Sequence, residues 1–259
     1  MGSSDVQGKL WSAAPEDWLE NERFCIPLYE AVFSGVDLGE GVRILDLGCG
    51  AGLAMQMAAE RGAIVTGIDA ADGLLEVARS RLPDADLRKG DLEVLPYPDD
   101  SFDVVTSFNA VQFATDPVAA LREAKRVATS GGKVGIVTWG ELERCDIRMI
   151  LAAIGPLLPS PLPGAVGPFA LSAPGKLEDL AETAGLVPER SDEVPAPFTF
   201  PDLAAAVRIQ MSAGPFQHAI EHAGKEVVSN AVRKAFSAAR QDDGSYRLNN
   251  TFRYLIATS

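Results

Sequence analysis

The run Ile44-Leu45-Asp46-Leu47-Gly48-Cys49-Gly50-Ala51-Gly52 ends an apolar, strand-like stretch on a glycine-rich turn, and Leu53–Arg61 continues at helical spacing. Glycines in such a turn let a ligand approach the backbone closely, and the following helix start offers free N–H groups. A dinucleotide fingerprint would carry Gly or Ala at its last position, where this chain has Leu53, and would face a pyrophosphate. Asp46 would repel that pyrophosphate, whereas it would attract a ligand whose nearby groups are an ammonium and a sulfonium. Thr66-Gly67-Ile68-Asp69 places a second acid roughly 20 residues after the turn, the spacing of a carboxylate that accepts from two ribose hydroxyls. In Gly90-Asp91-Leu92-Glu93, Asp91 can accept from an adenine amino group, while Leu92 offers a backbone N–H and an apolar wall.

A second set of residues could serve a reaction partner. His218 and His222 are the two histidines and stand at helical spacing. His218 is the candidate general base near neutral pH, and no third ligand accompanies the pair, so no metal site is expected. Asn109 and Gln112 follow a strand-like run, and Phe113, Trp139, Phe169 and Phe216 are expected to line an apolar acceptor pocket with Gln112. Trp11 and Trp18 read as buried anchors of an amino-terminal helix.

These residues need a scaffold. Short apolar runs at Val42–Leu47, Ile64–Asp69, Asp86–Gly90, Phe102–Phe108 and Lys133–Trp139 alternate with helical stretches at Leu53–Arg61, Leu74–Leu82 and Pro117–Ala128. That alternation predicts an α/β fold, a Rossmann-like, seven-stranded, mostly parallel sheet with helices on both faces. Leu186–Val194 and Phe252–Thr258 supply the last two strands. Leu10–Phe33 is expected to be helical, within an amino-terminal lid over residues 1–40. The core spans 41–194, with a proline-rich loop or lid at 141–175. Ala-rich Pro201–Arg240, broken at Gly214-Pro215 and Gly224, suggests a helical cap inserted over 195–245, before a final core strand in 246–259.

Taken in order, Asp46–Gly52, Asp69, Gly90–Glu93, Phe102–Phe108 with Asn109, and Gly131-Gly132-Lys133 resemble the motifs of class I S-adenosylmethionine (SAM)-dependent methyltransferases. The branch that methylates ubiquinone and menaquinone precursors is the most similar, over about Val42–Trp139. The resemblance implies that Gly48, Cys49, Gly50 and Gly52 surround the methionine part of SAM, Asp69 and Ala70 the ribose, Asp91 and Leu92 the adenine, and Asn109 the sulfonium region. Asp46 belongs to the same set. Related enzymes often carry a histidine after the fourth strand, where this chain reads Asn109-Ala110-Val111-Gln112-Phe113, so the base is open. The expected function is methyl transfer to an oxygen, nitrogen or carbon of a small, apolar or aromatic acceptor. A SAM-binding enzyme that does not methylate, such as a cyclase, is the alternative; a nicotinamide dehydrogenase and a noncatalytic SAM-binding partner rank below it.

Composition narrows the partners. The net charge of −13 and scattered Lys and Arg would repel a polyphosphate, so nucleic acid is not an expected substrate. Three cysteines without CxxC spacing fit neither a disulfide framework nor a zinc site, and suit a reducing cytoplasm. No apolar run approaches the roughly 18 residues of a membrane span. An exposed lid or amino-terminal helix could support a homodimer.

Overall fold

The β-branched and aliphatic runs pair into the expected sheet in the computed structural model, which describes residues 3–159 and 167–259. Its strands are Arg43–Leu47 (β1), Ile64–Asp69 (β2), Asp86–Lys89 (β3), Phe102–Phe108 (β4), Ala128–Trp139 (β5), Val187–Pro195 (β6), Phe198–Phe200 (β7), Tyr246–Leu248 (β8) and Thr251–Thr258 (β9). Seven of them form one sheet in the order β3-β2-β1-β4-β5-β9-β6. Strands β1 to β5 run parallel, and β9 lies antiparallel between β5 and β6. This is the Rossmann-like, mostly parallel architecture that the sequence predicts. The chain crosses from one side of β1 to the other between β3 and β4, which opens a crevice at the carboxyl ends of β1 and β4.

The helices are Ser3–Trp11 (α1), Pro15–Asn21 (α2), Ile26–Phe33 (α3), Leu53–Ala59 (α4), Asp72–Arg81 (α5), Pro117–Val127 (α6), Ile147–Ile154 (α7), Lys176–Thr183 (α8), Leu203–Gln210 (α9), Gly214–Ala223 (α10) and Lys225–Phe236 (α11). Helix α6 starts where the sequence predicts. Asp116 Oδ1 accepts from the N–H groups of Val118 and Ala119, and Pro117 fills the first turn. One apolar cluster on the first sheet face joins Leu28, Val32 and Phe33 of α3 to Trp139, Phe216, Phe236 and Phe252. The other face carries a second cluster, including Leu121 of α6 and Leu177 of α8. Lid, cap and sheet thus share one core on the first face.

The structure departs from the sequence reading in several places. The amino-terminal segment is three short helices joined by tight turns, because Pro15 and Pro27 each restart a helix. Part of the expected loop at 141–175 is helix α7, whose Ile147, Ile150 and Ile154 are buried; only at Gly155-Pro156 does it tighten into a single 3₁₀ turn. The prolines at 161 and 163 lie outside the described residues. Helices α9 to α11 stand between β6 and β9, but they are bracketed by a separate ladder of β7 and β8. Consequently Tyr246–Leu248 pairs with β7, and β9 alone of residues 246–259 joins the main sheet. Strand β5 begins at Ala128, and a register shift between Phe102 and Val104 accommodates its early start.

Candidate active site

The glycine turn sits at the crevice. The N–H groups of Gly48 and Cys49 both donate to Ile68 O, at 2.8 and 3.1 Å, binding the turn to β2. Gly48 has φ +74°, and a Cβ built there would lie 2.3 Å from Ala110 Cβ. The turn therefore passes the end of β4 at a distance that excludes a side chain. Asp69 ends β2; its Oδ2 accepts from Gly50 N and its Oδ1 from Ala71 N, each at 2.8 Å. Burial raises the Asp69 carboxyl, and these backbone donors oppose the rise.

Asp46, the penultimate residue of β1, is almost wholly buried, with its Oδ1 accepting from Thr106 Oγ1 at 2.8 Å. Burial pushes its carboxyl up to about 7, against the Thr106 hydrogen bond and with help from the Asp69 charge. The folded value exceeds the unfolded one, so without a ligand the stability contributed falls as pH rises from the usual carboxylate range to about 7 and is level above it. A cation seated beside Asp46 would favour the carboxylate and release a proton. Affinity for such a ligand should therefore climb as pH rises from about 6 and level off by about 8. Calorimetric titration in buffers of different ionisation enthalpy reads that proton; a pH-independent affinity would count against the role of Asp46.

One pocket, about 980 Å³ to its open mouth, gathers Asp46, Gly48, Cys49, Gly50, Asp69, Ala70, Asp91, Leu92 and Asn109. Gly52 is not among its lining residues: at φ +84° it caps α4, and a Cβ there would approach Ala78 Cβ to 3.1 Å. Its role is close packing of α4 on α5. Phe113 lines the pocket, with its ring 5.9 Å from that of Trp11. Gln112 is buried behind it and donates from Nε2 to Asn109 Oδ1 at 2.5 Å. Asn109 itself holds φ +57°, the conformation that turns the chain out of β4.

The other expected acceptor residues are elsewhere. Trp139 is buried against Phe252 at 4.2 Å and Phe169 at 5.4 Å, within the core rather than on the pocket wall. Phe216 is enclosed in the cap. His218 lies half-buried on α10 and His222 is exposed; neither is among the lining residues. Among the described residues no cluster of metal-ligating side chains occurs, and no helix is long and apolar enough to cross a membrane.

What sequence reasoning missed is the lid's share of the pocket. Ser4, Gln7 and Trp11 of α1, Trp18 of α2, and Glu22, Cys25 and Tyr29 all line it. Their spacings of three and four residues put each group on one helical face, a signal that an ordinary core stripe also gives. The rings of Trp11 and Trp18 meet edge to face at 4.8 Å. Gly214 of α10 clears the Trp11 indole, where a Cβ would meet Nε1 at 2.7 Å. Burial raises the Tyr29 hydroxyl well above its ordinary range and pushes the Cys25 thiol up to about 12, so both are neutral at pH 7.

Residues 45–136 match the methyltransferase domain family. That span, from β1 to β5, resembles a methyltransferase domain, a resemblance that implies SAM as the cofactor. A ubiquinone biosynthesis O-methyltransferase of Alkalilimnicola ehrlichii is 34% identical over 161 residues, 58% of this chain and 65% of that one. A SAM-dependent methyltransferase of Aquifex aeolicus shares the fold at TM-score 0.52 and 20% identity, covering 67% of this chain and 87% of that one. The (4+2) cyclase SpnF shares it at TM-score 0.55 and 22% identity, covering 87% and 80%. These two likenesses concern the fold alone. The chain spans about half the length of the first curated relatives it matches.

Proposed function

We propose that this protein is a SAM-dependent methyltransferase that transfers a methyl group to an oxygen, nitrogen or carbon of a small, apolar or aromatic acceptor. The observation that carries the reading is the single pocket in which Asp46, the glycine turn, Asp69 and Asp91 meet beneath Trp11, Trp18 and Phe113. The residues suit the cofactor from end to end. Asp46 would face the methionine ammonium, with Gly48, Cys49 and Gly50 around the same half. Asp69 and Ala70 would hold the ribose, Asp91 and Leu92 the adenine. Asn109, fixed by Gln112, would stand near the sulfonium.

The bound cofactor supplies an electrophilic methyl on a good leaving group. The chain's own work is then to orient the acceptor and exclude water, for which proximity alone offers effective molarities on the order of 10⁵ M or more. The indole rings and Phe113 form an apolar roof suited to an aromatic acceptor. No Lys, Arg or His is among the lining residues described, and with a net charge of −13 the site does not suit a nucleic acid. Trp139, Phe169 and Phe216 support the site from the core. His218→Ala is expected to leave SAM affinity and turnover within about twofold of wild type, below the roughly 10²-fold or greater loss of a removed general base; a loss of that size would return the base role to His218.

The reading is tested by calorimetric titration with SAM, followed by detection of S-adenosylhomocysteine as phenols, quinols and amines are added. Binding with turnover supports it. Bound SAM that is never converted, alongside rearrangement of an acceptor, would favour the cyclase-type alternative. A folded protein that does not bind SAM would overturn both.

A further inference from the structure

Glu22 is an unusual residue to find under a lid. It stands between α2 and α3, only 3% exposed, and lines the pocket beside Gly48, Cys49 and Gly50. Its Oε1 accepts from Arg81 Nη2 at 2.7 Å, and the backbone N–H of Leu53, the first residue of α4, favours its charged form. Arg81 Nη1 in turn donates to Ala51 O at 2.7 Å, inside the glycine turn. One carboxylate thus ties the lid to α5 and, through Arg81, to the glycine turn.

The electrostatics of this joint are incomplete. Burial raises the Glu22 carboxyl even with Arg81 and the Leu53 N–H opposing the rise, so the bonds present do not repay its removal from water. A second cation would. Asp46 lines the same pocket, with its Oδ1 engaged by Thr106. Glu22 from the lid and Asp46 from the sheet thus line one pocket together with the glycine turn, each with one oxygen bonded to a side chain, Arg81 and Thr106 respectively. The Trp18 indole of the same lid overhangs this turn, 3.7 Å from where a Gly50 Cβ would be.

Resting on the reading that the pocket binds SAM, we infer that Glu22 is a cofactor-binding residue supplied by the lid, receiving the ammonium of the methionine half opposite Asp46. Binding of the amino-acid half then fastens α2 and α3 over the site, and the acceptor chamber roofed by Trp11 and Trp18 is completed only once that half is present. Glutamine at this position keeps an oxygen for Arg81 and removes the charge, which makes Glu22→Gln the informative variant.

The experiment compares wild type and Glu22→Gln for affinity toward SAM, S-adenosylhomocysteine and 5′-methylthioadenosine, which keeps the adenosine half and has no amino-acid group. Affinity for the first two should fall by about tenfold, and that for methylthioadenosine by less than about twofold, which also shows the variant folded. S-adenosylhomocysteine should slow amide exchange across residues 15–33 in wild type and much less in the variant, whereas methylthioadenosine should do so in neither. Equal losses for all three ligands would make Glu22 a structural residue, and unchanged affinities would deny it any role. Tighter SAM binding would mean that Arg81, once released, takes the cofactor's carboxylate. Each of these outcomes overturns the inference while leaving SAM binding by the wild type intact. Failure of wild type to bind any of the three would instead remove the SAM reading on which it rests.

Discussion

Asp69→Ala is expected to weaken SAM binding by about 100-fold or more, close to 2.7 kcal/mol. The carboxylate holds two backbone donors, Gly50 N and Ala71 N, each at 2.8 Å, and so shapes both the glycine turn and the start of α5. Alanine would leave those N–H groups without partners inside the pocket, at about 1–3 kcal/mol for each group that water does not reach. It would also remove the acceptor proposed for the ribose hydroxyls, whose bonds to a charged group are roughly twice as strong as neutral ones. Asp69→Asn keeps one oxygen acceptor and should fall between, at about tenfold. Calorimetry at pH 8 or above, where Asp46 is ionised, isolates the effect from that titration. An Asp69→Ala affinity within about threefold of wild type would mean that the ribose lies elsewhere.

Much of this arrangement was legible in the chain because the residues proposed to hold the cofactor sit where strands end, and strand ends are marked by composition. Asp69 terminates an apolar run and Asp46 stands one residue before the end of another, and the turn between Leu47 and Leu53 announces itself by its glycines. The acceptor side was not legible in this way. Trp139 ends β5 and lies near the crevice in sequence logic, but its indole turns to Phe252 and Phe169, because β9 pairs with β5 in register and places Phe252 opposite Trp139. That register depends on a strand more than a hundred residues away. Likewise His218 was judged by its chemistry alone, while its distance from the pocket is set by how α10 packs against α1.

The lid shows the converse error. Trp11 and Trp18 look like core anchors until α1 and α2 dock on the cap. That docking uses Asp17 and Glu20 on Arg208, Lys9 on Glu221, and Asn21 Nδ2 on Ile209 O at 3.2 Å. The ion pairs are exposed and contribute little energy each, whereas the Asn21 bond is buried and fixes the register. Local sequence carries the helices, and only their mutual packing decides that one face of them becomes the roof of a site.

Gly48→Ala should destabilise the protein by about 3 kcal/mol and abolish measurable SAM binding, for reasons that can be separated. Gly48 holds φ +74°, a conformation that costs a residue with a Cβ about 1–2 kcal/mol. The added Cβ would also stand 2.3 Å from Ala110 Cβ, an atom fixed to the backbone at the exit of β4, so one strand end must move from the other. Overpacking of that kind typically costs a further 1–3 kcal/mol. For a chain of this length the sum corresponds to a fall in Tm of about 6–12 °C. Gly41 is the matched control: its φ is also +74°, but nothing lies within 4 Å of its absent Cβ. Gly41→Ala should therefore show the conformational part alone, a fall of about 2–8 °C with SAM affinity retained. If the two variants melt together and bind SAM alike, the approach of the turn to β4 does not constrain the site. A larger loss at Gly48, in both stability and binding, would locate the cofactor's methionine half against that contact.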